Sequence, residues 1–256
     1  MKAVILAGGF GTRLSEETAI RPKPMVEIGG KPILWHILKI YSSFGIKDFI
    51  ICCGYKGEVI KKYFSEYHFM NSDWSINLST NKLDMNKGQI EDWNITLVDT
   101  GSDTQTAGRL KRVANYLVDE TEFLMTYGDG VGDVNINELI EFHRLHNPIA
   151  TMTVVQTVPR YGLVKSDGKY VNSFMEKPKN TGECISAGFF VLSSQIFDFI
   201  EGDESIFEVD ILPKLAADRQ LMCRFHDGFW KPMDTLKDRY ELEELWQKRE
   251  APWKIW

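Results

Sequence analysis

The stretch Lys2-Ala3-Val4-Ile5-Leu6-Ala7 is apolar after its first residue and runs straight into Gly8-Gly9-Phe10-Gly11. So short a run, apolar on both of the faces that a strand presents, belongs in a sheet covered on both sides, and such sheets are mostly parallel. The glycines that follow let the backbone turn tightly and approach a ligand, so that successive amide N–H groups converge on phosphate oxygens. Thr12-Arg13 and then Arg21-Pro22-Lys23-Pro24-Met25 follow, and Arg13 and Lys23 supply cations beside that loop. A polyphosphate needs both kinds of contact, because its charge must be neutralised before a nucleophile reaches its phosphorus.

A strand followed by glycines also opens dinucleotide-binding folds. Two features oppose that reading. The third glycine of that fingerprint falls on Leu14, and the second strand ends in Cys52-Cys53-Gly54 with no acidic residue for a ribose. Helical spacing begins only at Pro32, which leaves a long loop where a dinucleotide site has a tight turn.

Apolar runs alternate with helical patterns through the first 150 residues. Strands are expected at 2–7, 49–53, 94–99 and 123–127, with 74–78 in an excursion from the main sheet; helices are expected at 32–41, 56–64, 108–118 and 138–145. This rhythm predicts an α/β fold, a mostly parallel Rossmann-like sheet flanked by helices. Beyond residue 150 the pattern turns β-rich, at 150–158, 163–165, 170–175 and 183–192, which predicts a smaller antiparallel extension. Helices near 194–200 and 206–217, a strand at 221–226 and a charged helix from about 236 complete the chain. No linker or repeat interrupts it. The expectation is one domain, with a nucleotide-binding subregion at 1–150, an acceptor subregion at 151–235 and a C-terminal helix and tail at 236–256.

With Lys+Arg 30 against Asp+Glu 36, the chain has a net charge of −6 and no global basic field for nucleic acid. A small phosphorylated ligand met by locally concentrated cations fits better. The cysteines, Cys52, Cys53, Cys184 and Cys223, show neither a CxxC pair nor zinc spacing. No secretory signal precedes the first strand and no apolar run approaches a bilayer span, so a cytoplasmic protein without membrane contact is expected.

Tyr127-Gly128-Asp129-Gly130 follows a central strand at the carboxyl edge, where open α/β sheets place ligands. Far along the chain, Phe229-Trp230-Lys231-Pro232-Met233-Asp234-Thr235 sets a second carboxylate in a stiff turn. Asp129 and Asp234 with substrate phosphates and water would suit Mg2+, whereas each alone is equally a turn residue or a helix N-cap. Lys177, stiffened by Pro178, is a candidate for a monophosphate or an exposed turn lysine. The loop at Thr104, Gln105, Thr106, Gly108 and Arg109 faces an anion or a base, or simply caps a helix. His143 and His146 lack partners for a metal site, and Trp246, Trp253 and Trp256 read as packing or interface anchors.

Taken together, Gly8 through Arg13, Lys23-Pro24-Met25, Gly128-Asp129, Glu176-Lys177-Pro178 and Asp234 resemble the sugar-1-phosphate nucleotidyltransferases over nearly the whole chain. Within them, the cytidylyltransferase branch is most similar. That likeness rests on Cys52-Cys53-Gly54-Tyr55-Lys56-Gly57, Leu97-Val98-Asp99-Thr100-Gly101, Gly108-Arg109-Leu110-Lys111-Arg112-Val113, residues 229–235 and Ala251-Pro252-Trp253-Lys254. The resemblance implies Mg2+-dependent transfer of a cytidylyl group from CTP to glucose 1-phosphate or a related sugar 1-phosphate by a homo-oligomer. It implies catalytic roles for Arg13, Lys23 and Asp129. Nucleotide contacts fall on Leu6, Ala7, Gly8, Gly9, Gly11, Thr12, Arg13, Lys23, Thr104, Arg109 and Gly128, and metal contacts on Asp129 and Asp234. Sugar-phosphate contacts fall on Glu176, Lys177 and Gly188. Ser186-Ala187-Gly188-Phe189 departs from the family's asparagine-containing turn and removes an amide from the sugar side. A thymidylyl- or uridylyltransferase of the same fold stays open at this point, as does a non-catalytic binding subunit, although the latter has no need of both carboxylates.

Overall fold

The computed structural model describes residues 1–11, 14–18, 20–85, 88, 90–156, 163–175 and 184–256. The chain runs through β1 (Lys2–Leu6), α1 (Ser15–Thr18), a 3-10 turn (Lys23–Met25), β2 (Glu27–Ile28), β3 (Lys31–Pro32), α2 (Ile33–Ser43), β4 (Asp48–Cys53) and α3 (Gly57–Met70). Then come β5 (Trp74–Asn77), β6 (Lys82–Met85), β7 (Asn94–Asp99), α4 (Thr106–Arg112), a second 3-10 turn (Ala114–Tyr116), β8 (Glu122–Tyr127), β9 (Gly130–Gly132) and α5 (Ile136–His146). The remainder comprises β10 (Ala150–Gln156), β11 (Leu163–Asp167), β12 (Tyr170–Met175), β13 (Cys184–Ser193), a 3-10 stretch (Ser194–Phe199), a π turn (Phe207–Ile211), α6 (Leu212–Ala217), β14 (Leu221–Phe225), β15 (Trp230–Pro232) and α7 (Leu236–Gln247).

Among the described residues the central sheet has seven strands in the order β14-β10-β13-β8-β1-β4-β7. Its pairs are parallel at β1–β4, β1–β8, β4–β7 and β10–β14, while β13 runs antiparallel to both β8 and β10. The expected antiparallel extension is therefore built into the main sheet through β13, with β11 and β12 paired beside it as a separate hairpin. From β1 the chain builds outward to β4 and β7, then returns to place β8 on the other side of β1. That reversal opens a crevice at the carboxyl ends of β1 and β8, the position where open α/β sheets bind ligands.

Alternation along β1 divides the core. Ala3, Ile5 and Ala7 face one hydrophobic layer and Val4 and Leu6 face the other, all buried. In α2 the fully or almost fully buried side chains include Ile33, Leu34, Ile37, Leu38, Ile40 and Tyr41. Each apolar side chain so buried contributes about 1.5–3 kcal/mol, which holds α2 in the layer that Ala3, Ile5 and Ala7 face.

Several elements differ from the sequence expectation. The helix expected at 108–118 is α4 followed by a 3-10 turn, and the one expected at 206–217 opens as a π turn before α6. The long loop after β1 contains α1 and a 3-10 turn. The strand at 74–78 is half of the exposed β5–β6 hairpin. The aromatic tail is used within the chain. Trp253 is fully buried and its Nε1 donates to His36 Nδ1, with Trp246 and Trp256 also against the His36 ring.

Candidate active site

The start of the glycine loop is pinned to the neighbouring strands by backbone hydrogen bonds. Ala7 N–H donates to Cys52 O at 3.1 Å and Tyr55 N–H to Gly8 O at 3.1 Å, while Gly128 N–H donates to Leu6 O at 3.0 Å. The loop thus bridges the carboxyl ends of β4, β1 and β8. At Gly8 a Cβ would lie 2.2 Å from Arg109 Nη1, so only glycine leaves room for the guanidinium beneath.

Arg109 is 4% exposed, and its role differs from that of a free surface cation. Nη1 donates to Thr100 Oγ1 at 2.8 Å and Gly101 O at 2.6 Å, and Nη2 to Ser102 O at 3.1 Å. Burial lowers its pKa, although a guanidinium stays charged. Its hydrogen bonds shape the loop that carries Thr104, and its edge lines the cavity below.

Lys23 sits in a 3-10 turn between Pro22 and Pro24 and is 7% exposed. Its Nζ donates to Asp129 Oδ2 at 2.7 Å and to Asp234 Oδ1 at 2.6 Å. Two short strands arrange this. β9 pairs with β15 so that Gly130 lies opposite Pro232, and Met233 N–H donates to Asp129 O at 2.8 Å. Asp234 is thereby set beside Asp129 from a distant part of the chain. It does not cap α7: Thr235 does, with its Oγ1 accepting from Asp238 N–H and its own N–H donating to Asp238 Oδ2.

Both carboxylates reach a single ammonium, so both also reach a single cation. Among the described residues no group of three or more His, Cys, Asp or Glu side chains could hold a metal. A pair of carboxylates completed by substrate phosphates and water is nonetheless the usual arrangement for magnesium, and the donor set fits it.

A cavity of about 380 Å³ opens at this crevice, within the usual ~300–1,000 Å³ of small-molecule sites. Leu6, Ala7, Gly8, Gly9, Gly11, Lys23, Thr104, Arg109, Gly128 and Asp129 all line it. Apart from Asp129, expected as a catalytic and metal residue, these are the nucleotide contacts expected from the sequence that fall within the described residues. Ser102, Asp103, Gln105, Thr106 and Tyr127 join them. A second cavity, on the far side of Tyr127 and Asp129, is lined by Gln156, Ser186, Trp230 and Asp234 among others. Gly188, at φ +78°, packs against the Tyr127 ring where a Cβ would come within 2.7 Å of Cδ2. Thr12, Arg13, Glu176 and Lys177 lie outside the described residues.

Tyr127 and Trp230 were not assigned roles from the sequence. Tyr127 ends an apolar strand and reads as core, yet it forms the partition between the cavities. Burial and the neighbouring Glu208 carboxylate raise its pKa and keep the phenol protonated. Burial likewise keeps Cys52 and Cys53 as thiols, the latter pushed up to about 11, which leaves neither as a nucleophile.

The model of one family, Nucleotidyl transferase, matches residues 2–248. The chain belongs to the nucleotidyl transferase family. Glucose-1-phosphate cytidylyltransferase of Salmonella typhi is 54% identical to it over 256 residues, covering 100% of each chain. The enzyme of the same name from Salmonella typhimurium is also 54% identical over 100% of each chain. HddC from Yersinia pseudotuberculosis, at 24% identity, superposes with a TM-score of 0.70 over 96% of this chain and 99% of that one, a likeness of fold.

Proposed function

We propose that the chain transfers a cytidylyl group from CTP to α-D-glucose 1-phosphate, giving CDP-glucose and pyrophosphate. The observation that carries this is Lys23 held between Asp129 and Asp234 at the mouth of the glycine loop. Full-length relatives at 54% identity support the choice of CTP and glucose 1-phosphate.

An oxygen of the sugar phosphate attacks the α-phosphorus of CTP in line. The P–O bond to the β-phosphate breaks, and its electron pair leaves with pyrophosphate. No protein nucleophile is required, because the monoester is already anionic near neutral pH, so positioning and charge neutralisation dominate catalysis. The amides of residues 8–11 with Thr12 and Arg13 take the β- and γ-phosphates. Lys23 supplies its ammonium to the α-phosphoryl oxygens as charge develops there. Leu6, Ala7, Thr104, Arg109 and Gly128 shape the base and ribose end of the cavity. Asp129 and Asp234 would hold Mg2+, which when bound neutralises phosphate charge. Glu176, Lys177 and Gly188 serve the acceptor, with Lys177 on its phosphate.

On this reading residues 1–150 form the donor side and 151–235 the acceptor side of one domain. The proposal extends to a cytoplasmic homo-oligomer supplying CDP-sugar for polysaccharide synthesis. Among the described residues no helix is long and apolar enough to cross a membrane. For assembly, the C-terminal aromatics are an unsuitable contact, since they are used internally; Phe69, Met70, Trp74, Ile76 and Leu78 around the exposed hairpin are apolar and solvent-facing instead.

Pyrophosphate release measured across CTP, dTTP, UTP and GTP, each with several sugar 1-phosphates, tests the assignment. CTP with glucose 1-phosphate should give the highest kcat/KM. Preference for dTTP or UTP would move the chain to another branch of the family, and no turnover with any pair would make it a binding subunit.

A further inference from the structure

Glu208 lies in the π turn Phe207–Ile211, outside every motif used above. Such turns re-aim side chains and recur at functional sites. One Glu208 carboxylate oxygen accepts from the Tyr127 phenol. The other accepts from Thr106 Oγ1 at 2.8 Å, and that hydroxyl in turn accepts the Phe207 N–H at 2.8 Å. Thr106 lines the nucleotide cavity, Glu208 lines the second cavity, and Tyr127 lines both. The Tyr127 ring is confined by the Gly188 backbone and by an edge-to-face contact with Phe190, at 6.2 Å between centroids. Its hydroxyl end is anchored by Glu208.

We propose that Glu208 is a positioning residue for acceptor binding. Its carboxylate ties Tyr127, the partition between the cavities, to Thr106 at the start of α4, so the sugar phosphate meets a fixed wall beside the nucleotide. The inference rests on the reading of these cavities as donor and acceptor sites. Glu208 acts through Tyr127, and its charge is not what the role requires. A glutamine there accepts from Tyr127 with its carbonyl and donates to Thr106 Oγ1 with its amide, keeping both links.

Steady-state kinetics of the full chain, Glu208→Ala, Glu208→Gln, Tyr127→Phe and the double variant Glu208→Ala/Tyr127→Phe test this, each substrate being varied at saturating levels of the other. Glu208→Ala should raise the KM for glucose 1-phosphate about tenfold, the upper scale of one ordinary hydrogen bond, and change the KM for CTP less than about twofold. Glu208→Gln should restore most of the loss. Tyr127→Phe should reproduce the alanine effect, and the double variant should add little to it, as expected when two residues act as one unit. Equal changes in both KM values, or a glutamine variant as impaired as the alanine one, would overturn the role of Glu208 while leaving the cytidylyl-transfer reading standing. A wild-type chain without turnover would overturn that reading and this inference with it.

Discussion

Replacing Lys23 by Met removes the cation that Asp129 and Asp234 share and keeps most of the side-chain volume. Lys23 is 8% exposed in its side chain, Asp129 32% and Asp234 16%, so water screens the carboxylates more than the ammonium. Hydrogen bonds to charged groups contribute about 1.5–3 kcal/mol each, and partial exposure brings the two together down to a net loss of about 2 kcal/mol. For a chain of this size that lowers Tm by about 4–8 °C. With their shared ammonium gone, the two facing carboxylates should attract a divalent ion more strongly than in the wild type. A site saturated a hundredfold over its Kd recovers about 2.7 kcal/mol, so magnesium should stabilise Lys23→Met more than it stabilises the wild type. Scanning calorimetry with and without MgCl2, alongside pyrophosphate-release kinetics, measures both effects. Turnover should fall by at least about a hundredfold, as for loss of a charged donor to the transition state. A variant as stable as the wild type, indifferent to magnesium and still active would refute the shared-cation account.

Gly8→Ala should displace Arg109, whose guanidinium would sit 2.2 Å from the new Cβ, and cost about 1–3 kcal/mol of stability together with a raised KM for CTP; unchanged CTP kinetics would remove Gly8 from the nucleotide wall. Lys177→Ala should raise the KM for sugar 1-phosphate far more than that for CTP, and equal changes would refute its assignment to the acceptor phosphate. His36 is fully buried, and burial lowers its pKa from 6.5 to about 4, with Trp253 Nε1–H donating to the ring nitrogen a proton would take. The unfolded chain therefore binds that proton first. Stability should be complete above pH 6.5 and fall by about 1.4 kcal/mol per pH unit on acidification toward 4, a slope that His36→Gln should flatten in denaturant titrations. If the slope survives in His36→Gln, another group carries it.

The elements that sequence reading located well are those whose signal is local. The continuous apolar runs of β1, β4 and β8 and the i, i+3, i+4 spacing of α2 report burial directly, and these elements carry the crevice. Gly8, Lys23, Asp129 and Arg109 were legible for the same reason: each stands in a short motif where the flanking glycines or prolines restrict what the backbone can do. β9 and β15 were not legible, because strands of three residues carry no usable periodicity and exist only through each other. The role of Asp234 was consequently ambiguous between a metal ligand and a cap; the pairing of Gly130 with Pro232 sets it beside Asp129, and Thr235 takes the cap. Glu208 was invisible because a π turn has no pattern in sequence and its partners come from distant segments. The tail tryptophans were visible as anchors but not as to what they anchor, which the burial of Trp253 on His36 decides.

By itself, the sequence determined that a buried strand ends on a glycine loop, which basic residues adjoin it in the chain, and which carboxylates could serve a metal. These follow from steric and hydrogen-bonding limits acting over a few neighbouring residues. Only the tertiary structure decided that Lys23 bridges Asp129 and Asp234, that Arg109 is consumed in shaping the wall under Gly8, and that Tyr127 divides one cavity from the other. Those are contacts between segments far apart in the chain. Their geometry is set by sheet order and by the β9–β15 register, neither of which any local window contains.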